Sequence, residues 1–181
     1  RDVRNGYVLP PRFVFGNAID ALTRLRWLLD VPLGPAVTFG NFPGASGSRS
    51  FLPVARRMLH AQDTSISWKE VDWLRSLWKG PLLLKGITAP EDAALALAHG
   101  CDGVVVSNHG GRQCDGAPST ISVLPAIAAA MKGRGTILFD GGIRRGHDVL
   151  KAIALGADAC LVGRAWAYGL GAMGEAGVEL A

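Results

Sequence analysis

The segment Ser107-Asn108-His109-Gly110-Gly111-Arg112-Gln113 sets an imidazole and a guanidinium three residues apart on a glycine-rich stretch. Arg112 can hold a carboxylate through two parallel hydrogen bonds. His109 carries the side-chain type that changes charge near neutral pH, and it can take a proton from the adjacent carbon or hydroxyl. The chemistry implied is proton abstraction beside a carboxylate. His60, His99 and His147 carry no such pairing and read as structural or simply exposed: His99 precedes a helix-stopping glycine, and His147 falls in the first turn of a helix.

Lys85 closes an otherwise apolar run, where an ammonium is partly buried and lacks a counter-charge unless a ligand supplies one. It fits a Schiff-base lysine, a cation that stabilises an electron-rich ligand, or a lysine that extends out of the strand mouth into water. Asp140-Gly141-Gly142-Ile143-Arg144 and Gly163-Arg164 combine unshielded backbone N–H groups with two guanidinium groups. These are the parts of a phosphate cradle, which in barrels forms after the last two strands. The cysteines Cys101, Cys114 and Cys160 lack the spacing of a zinc or redox motif, so no metal is expected and a reducing compartment is the default.

The elements that must position these groups are four short apolar runs: 81–85, 103–107, 136–140 and 159–163. Each is bounded by glycine or polar residues and is nearly continuous rather than alternating, which predicts parallel strands buried on both faces. The chemistry-bearing residues follow the runs directly, on the sheet edge where parallel α/β folds bind ligands. Between the runs lies a device used twice. Ile87, Asp92, Ala96, Ala98, Gly100, Asp102 and Val106 recur 56 residues later as Ile143, Asp148, Ala152, Ala154, Gly156, Asp158 and Val162. It provides an acid near the helix start, small residues facing the sheet, and a left-handed glycine before the next strand. Repeated β-α units fit a doubly wound sheet or half of a (β/α)8 barrel.

Ahead of the first run, Ser67 and Glu70 form a capping box for a helix with Val71, Leu74 and Trp78 on one face, and Gly80 can stop it. Residues 1–66 are proline- and glycine-punctuated and predict a loop-rich excursion with short helices, leaving 67–181 as the β-α region. The formal charge of +4 is concentrated early: residues 1–80 hold 11 Lys+Arg against 6 Asp+Glu. A solvated face accounts for this excess, with an anionic membrane surface as the alternative; no nucleic-acid motif accompanies it. No apolar run approaches the roughly 20 residues of a membrane span, and a chain of 181 residues opening Arg1-Asp2-Val3-Arg4 reads as part of something longer.

Leu84-Lys85-Gly86, Val106 to Gln113, Asp140 to Gly146 and Gly163-Arg164 together resemble the signature blocks of the FMN-dependent L-2-hydroxy-acid oxidase and dehydrogenase family. The resemblance implies the C-terminal half of an α/β (β/α)8 TIM barrel, about four β/α units, preceded by the loop-rich segment as a lid or membrane-facing loop. It implies FMN as cofactor and oxidation of a lactate-like L-2-hydroxy acid to the 2-oxo acid. His109 would be the base and Arg112 the carboxylate anchor. Lys85 would lie beside the flavin, Ser107 on its ribityl or ring side, and Asp140, Gly141, Gly142, Ile143, Arg144, Gly163 and Arg164 around its ribityl chain and phosphate. Electrons would pass to oxygen, a quinone or another carrier in a cytoplasmic homo-oligomer (a tetramer), peripheral to the inner face of the membrane in some members. Residues supplied by the first barrel strands are absent from this chain, so the 181 residues alone are expected to be inactive. The rival readings are a phosphate-binding barrel aldolase or isomerase using Lys85, and a non-catalytic half-barrel.

Overall fold

The computed structural model describes residues 15–25, 28, 29, 63 and 65–181. The chain divides into two units, Arg1–Ser65 and Ile66–Ala181. In the first, helix α1 spans Phe15–Leu22; most of the excursion predicted over 1–66, with His60, lies outside the described residues.

The second unit opens with α2 (Trp68–Leu77), where the Glu70 carboxylate accepts both the N–H and the hydroxyl of Ser67 at 2.6 Å. This is the predicted capping box, which satisfies donors that the helix start leaves without partners. The predicted apolar face is displaced. Trp68 and Val71 pack on the core, while Leu74 and Trp78 are exposed. Trp78 lies just past the last helical residue, and its indole donates to the Pro81 carbonyl at 2.9 Å, which turns it away from the α2 stripe.

Four strands follow: β1 (Leu83–Ile87), β2 (Gly103–Val106), β3 (Thr136–Phe139) and β4 (Ala159–Cys160). All pairings are parallel, in the order β1-β2-β3-β4. That order decides what periodicity could not: a doubly wound sheet reverses its strand order at a switch point, whereas a barrel wall runs sequentially. Helices α3 (Pro90–Ala98), α4 (Thr120–Met131) and α5 (Gly146–Ala154) connect the strands, and α6 (Arg164–Met173) and α7 (Glu175–Glu179) follow β4. Helix α3 packs on β1, β2 and α4.

Burial on both faces holds for β2 only. The other strands have exposed positions, because half of a barrel wall leaves its inner face uncovered among the described residues. The strand bounds also differ from those predicted. β1 begins two residues later and continues through Gly86, and β4 pairs over only two residues. The core lies between sheet and helices, with Val104, Val106, Leu124, Ile127, Met131 and Phe139 fully buried, or nearly so, and Ala93, Ala96 and Ala152 bringing the helices close. Close-packed interiors of this kind make each small residue a spacing decision.

The repeated device is visible atom by atom. Asp102 donates its N–H to the Leu82 carbonyl at 2.8 Å and accepts the Leu82 N–H on its carboxylate at 2.8 Å; Asp158 does both to Ile137, again at 2.8 Å. Each aspartate thus extends the ladder by one reciprocal pair at the strand base, and Arg75 of α2 reaches Asp102 at 3.0 Å. His99 accepts the ordinary structural role expected of it, stacked on Trp68 with ring centroids 5.0 Å apart and with Nδ1 2.6 Å from Asp72.

Candidate active site

At the C-terminal end of β1, the register slips between Lys85 and Ile87, with Gly86 in the bulge at φ 99. A bulge re-aims the neighbouring side chain, and only glycine adopts this φ without strain. Lys85 leaves the strand here and reaches across the next two strand ends. Its ammonium donates to Ser107 Oγ at 2.7 Å and forms an ion pair with Asp140. The Ser107 hydroxyl donates in turn to the other Asp140 oxygen at 2.6 Å. The expectation that Lys85 depends on a ligand for its counter-charge is therefore corrected, since Asp140 on β3's end supplies one.

Ser107 is 2% exposed, and its hydroxyl uses its full capacity, donating once and accepting twice. The second bond it accepts comes from the His109 N–H at 3.1 Å. Beyond it the chain turns through a short 3-10 segment, His109–Gly111, with φ of 54, 65 and 73 at three successive residues. His109 and Arg112 are both exposed, and Arg112 closes the turn with its N–H on the His109 carbonyl at 3.4 Å.

After β3, Gly141 and Gly142 take φ of 97 and 81, and the N–H groups of Gly141, Gly142 and Ile143 have no acceptor among the described residues. The Ile143 side chain packs against the core, so what this residue can offer a ligand is its backbone. The backbone N–H groups of Arg144 and Arg145 donate to Asp148 at 3.1 and 3.0 Å, and both residues are exposed. Those bonds, that of Arg144 foremost, hold the Asp148 carboxyl below the ordinary carboxylate range. Gly163 precedes α6 as its N-cap, and the Arg164 guanidinium donates to the Gly110 carbonyl at 2.8 Å.

The sequence does not single out Thr120, and it assigns no role to Asn108 and Gly110, although both lie within the segment 107–113. Thr120, 2% exposed, donates to the Gly141 carbonyl at 3.3 Å and fixes the glycine pair from α4; its position beside Ser119 signals only a helix start. Asn108 anchors the turn by donating to the Pro118 carbonyl at 3.1 Å, while its Oδ1 is buried with no partner among the described residues. Gly110 matters through its carbonyl, which no sequence pattern could reveal. A buried acceptor in need of a donor, a glycine pair with no obstruction within 4 Å of Gly142, and exposed guanidinium groups fit a ligand that carries both hydroxyls and a phosphate.

The family model described as FMN-dependent dehydrogenase matches residues 1–181. L-lactate dehydrogenase of Serratia proteamaculans (strain 568) is 48% identical over 180 residues, covering 98% of this chain and 47% of that protein. That of Xanthomonas campestris pv. campestris (strain B100) is 49% identical over 181 residues, covering 99% and 47%. Among solved structures, the monotopic membrane protein (S)-mandelate dehydrogenase superposes with a TM-score of 0.87 at 39% identity over 99% of this chain and 47% of its own. Mandelate oxidase with (S)-4-hydroxymandelic acid gives 0.61 at 51% identity over 64% and 32%. The chain spans about half the length of the relatives it matches. With a family match over its whole length and a half-barrel whose strand ends carry the family's signature blocks, the chain belongs to the FMN-dependent dehydrogenase family.

Proposed function

We propose that the full-length protein oxidises an L-2-hydroxy acid to the 2-oxo acid, with His109 as base. FMN, when bound, accepts the electron pair. Arg112 pairs with the substrate carboxylate and so sets C2 beside the imidazole, and His109 takes the proton from C2 or its hydroxyl. Lys85 holds positive charge at the edge of the site, with Asp140 and Ser107 fixing its direction. The backbone N–H groups at 141–143, with Arg144, Gly163 and Arg164, hold the cofactor's phosphate and ribityl chain.

The observation that carries this reading is the Ser107 hydroxyl, which is shared by the Lys85 ammonium and the backbone of His109. One buried group thereby fixes the cation and the base in a common frame, as a reaction that moves a proton and an electron pair from one substrate carbon requires. An ammonium engaged by a carboxylate and a hydroxyl suits a fixed cation better than the amine nucleophile an aldolase needs. Lactate and mandelate are the substrates named for the relatives, and an acid of that class is the substrate proposed here.

Electrons then pass to oxygen, a quinone or another carrier, in a cytoplasmic homo-oligomer. No helix among the described residues is long and apolar enough to cross a membrane. The monotopic relative and the basic excess within residues 1–80 support peripheral contact through the segment 1–66. The reading is tested by purifying the full-length protein and recording its visible spectrum before and after anaerobic addition of L-lactate, glycolate or (S)-mandelate. Flavin bands that bleach with at least one acid are expected. A colourless protein, or a substrate adduct on Lys85 trapped by borohydride, would favour the aldolase chemistry instead.

A further inference from the structure

His109 is held in a backbone conformation that side-chain-bearing residues rarely adopt, with φ at 54, and the next two residues continue in the same region at 65 and 73. Such conformations persist only where the surroundings enforce them. The turn's own bonds are short-range, from the Gly111 N–H to the Asn108 carbonyl at 3.0 Å and from the Arg112 N–H to the His109 carbonyl at 3.4 Å. Two further bonds grip it from either side. Ser107 Oγ accepts the His109 N–H at 3.1 Å, and the Gly110 carbonyl accepts from Arg164 Nη2 at 2.8 Å, from a residue 54 positions later in the chain. The fit on the Arg164 side is close: a Cβ on Gly110 would lie 2.5 Å from Nη2.

From this we infer that Arg164 is a positioning residue for His109, its guanidinium fixing the left-handed turn that presents the imidazole. The inference rests on the reading of His109 as the base. Arg164 carries five N–H donors in a planar fork, and the bond to Gly110 uses one of them. The others remain for an anion, so one side chain couples the end of β4 to the turn after β2. Lysine keeps the charge but has no fork, and cannot hold the carbonyl and an anion together in this geometry.

The test uses the full-length holoenzyme, with bound FMN quantified so that rates are expressed per bound flavin. Arg164→Lys is expected to lower the limiting rate of flavin reduction by about 10- to 100-fold, the scale of a small misplacement of a reacting group, with a smaller change in the half-saturating substrate concentration. Methylguanidinium added to Arg164→Ala is expected to restore part of that rate. If the Arg164 variants lose the cofactor, the flavin-free exchange measurement decides the matter. Independently of turnover, hydrogen exchange at residues 109–111 should quicken in Arg164→Ala without flavin. Wild-type limiting rates per bound flavin in Arg164→Lys, or unchanged exchange in the turn, would overturn the inference. If His109→Gln loses activity in the same series, the base assignment survives that failure; if His109→Gln is fully active, both fall.

Discussion

The Lys85 ammonium at the end of β1 and the Asp140 carboxylate at the end of β3 are joined as an ion pair across β2, with the Ser107 hydroxyl bonded to both. The Asp140 side chain is 18% exposed and that of Lys85 47%, so the pair straddles the boundary between sheet and open site. Neither charge is free to take another orientation without breaking the Ser107 bond.

Ser107→Ala should therefore cost more than one hydrogen bond. It leaves an Asp140 oxygen, the Lys85 ammonium and the His109 N–H each one partner short. Leaving a buried polar group unsatisfied costs about 1–3 kcal/mol. A urea midpoint of the full-length protein lowered to match, together with a slower limiting rate of flavin reduction, is the expected result. Ser107→Thr, which retains the hydroxyl, should recover most of the rate.

Lys85→Met keeps the length and removes the charge. Unit charges a few ångströms apart near a protein surface interact by about 1–4 kcal/mol, and each 1.4 kcal/mol is roughly tenfold in rate. The flavin's reduction potential should fall, and reduction by substrate should slow by at least about tenfold. Potentiometry of the reconstituted variant gives the first quantity, and anaerobic mixing gives the second. An unchanged potential would place Lys85 away from the cofactor.

Asp102 provides a test of the frame rather than of the chemistry. Its carboxyl is held below the ordinary carboxylate range, foremost by the Leu82 N–H and also by Arg75. A depressed carboxyl stabilises the fold above its unfolded pKa of about 3.9, and that contribution disappears as pH falls through the lower folded value. Asp102→Asn should thus be less stable than wild type at pH 7, with the difference shrinking as pH drops below about 4. Urea midpoints measured at pH 7, 4 and 3 check this, and a difference constant across that range would contradict it.

Much of this frame is legible in the sequence because it depends on local spacing. The doubled motif from Ile87 to Val106 and from Ile143 to Val162 gives two helix-then-strand units, and Ser67 with Glu70 gives a helix start. Parallel strands followed by chemistry-bearing residues give the sheet edge. What stayed hidden depends on register and approach in three dimensions. The bulge at Gly86 that turns Lys85 towards Asp140, the Thr120 bond to Gly141 and the Arg164 bond to Gly110 each join residues between 21 and 55 positions apart. No periodicity encodes such contacts. Trp78 misled for a related reason: its spacing suits the α2 face, but the helix stops one residue earlier and a carbonyl at Pro81 captures the indole.

His109 and Arg112 share one turn and should fail differently. His109→Gln keeps size and hydrogen bonding but cannot accept the proton, so the limiting rate should fall by about 10²–10⁴-fold while substrate binding largely survives. Arg112→Lys keeps the charge but loses the two-pronged match to a carboxylate, so apparent affinity should weaken along with rate. The decisive measurement is single-turnover flavin reduction of full-length His109→Gln mixed anaerobically with L-lactate, glycolate and L-mandelate, reading limiting rate and half-saturating concentration for each. A collapsed limiting rate with a near-normal half-saturating concentration is expected; reduction at the wild-type limiting rate with every acid would show that His109 is not the base.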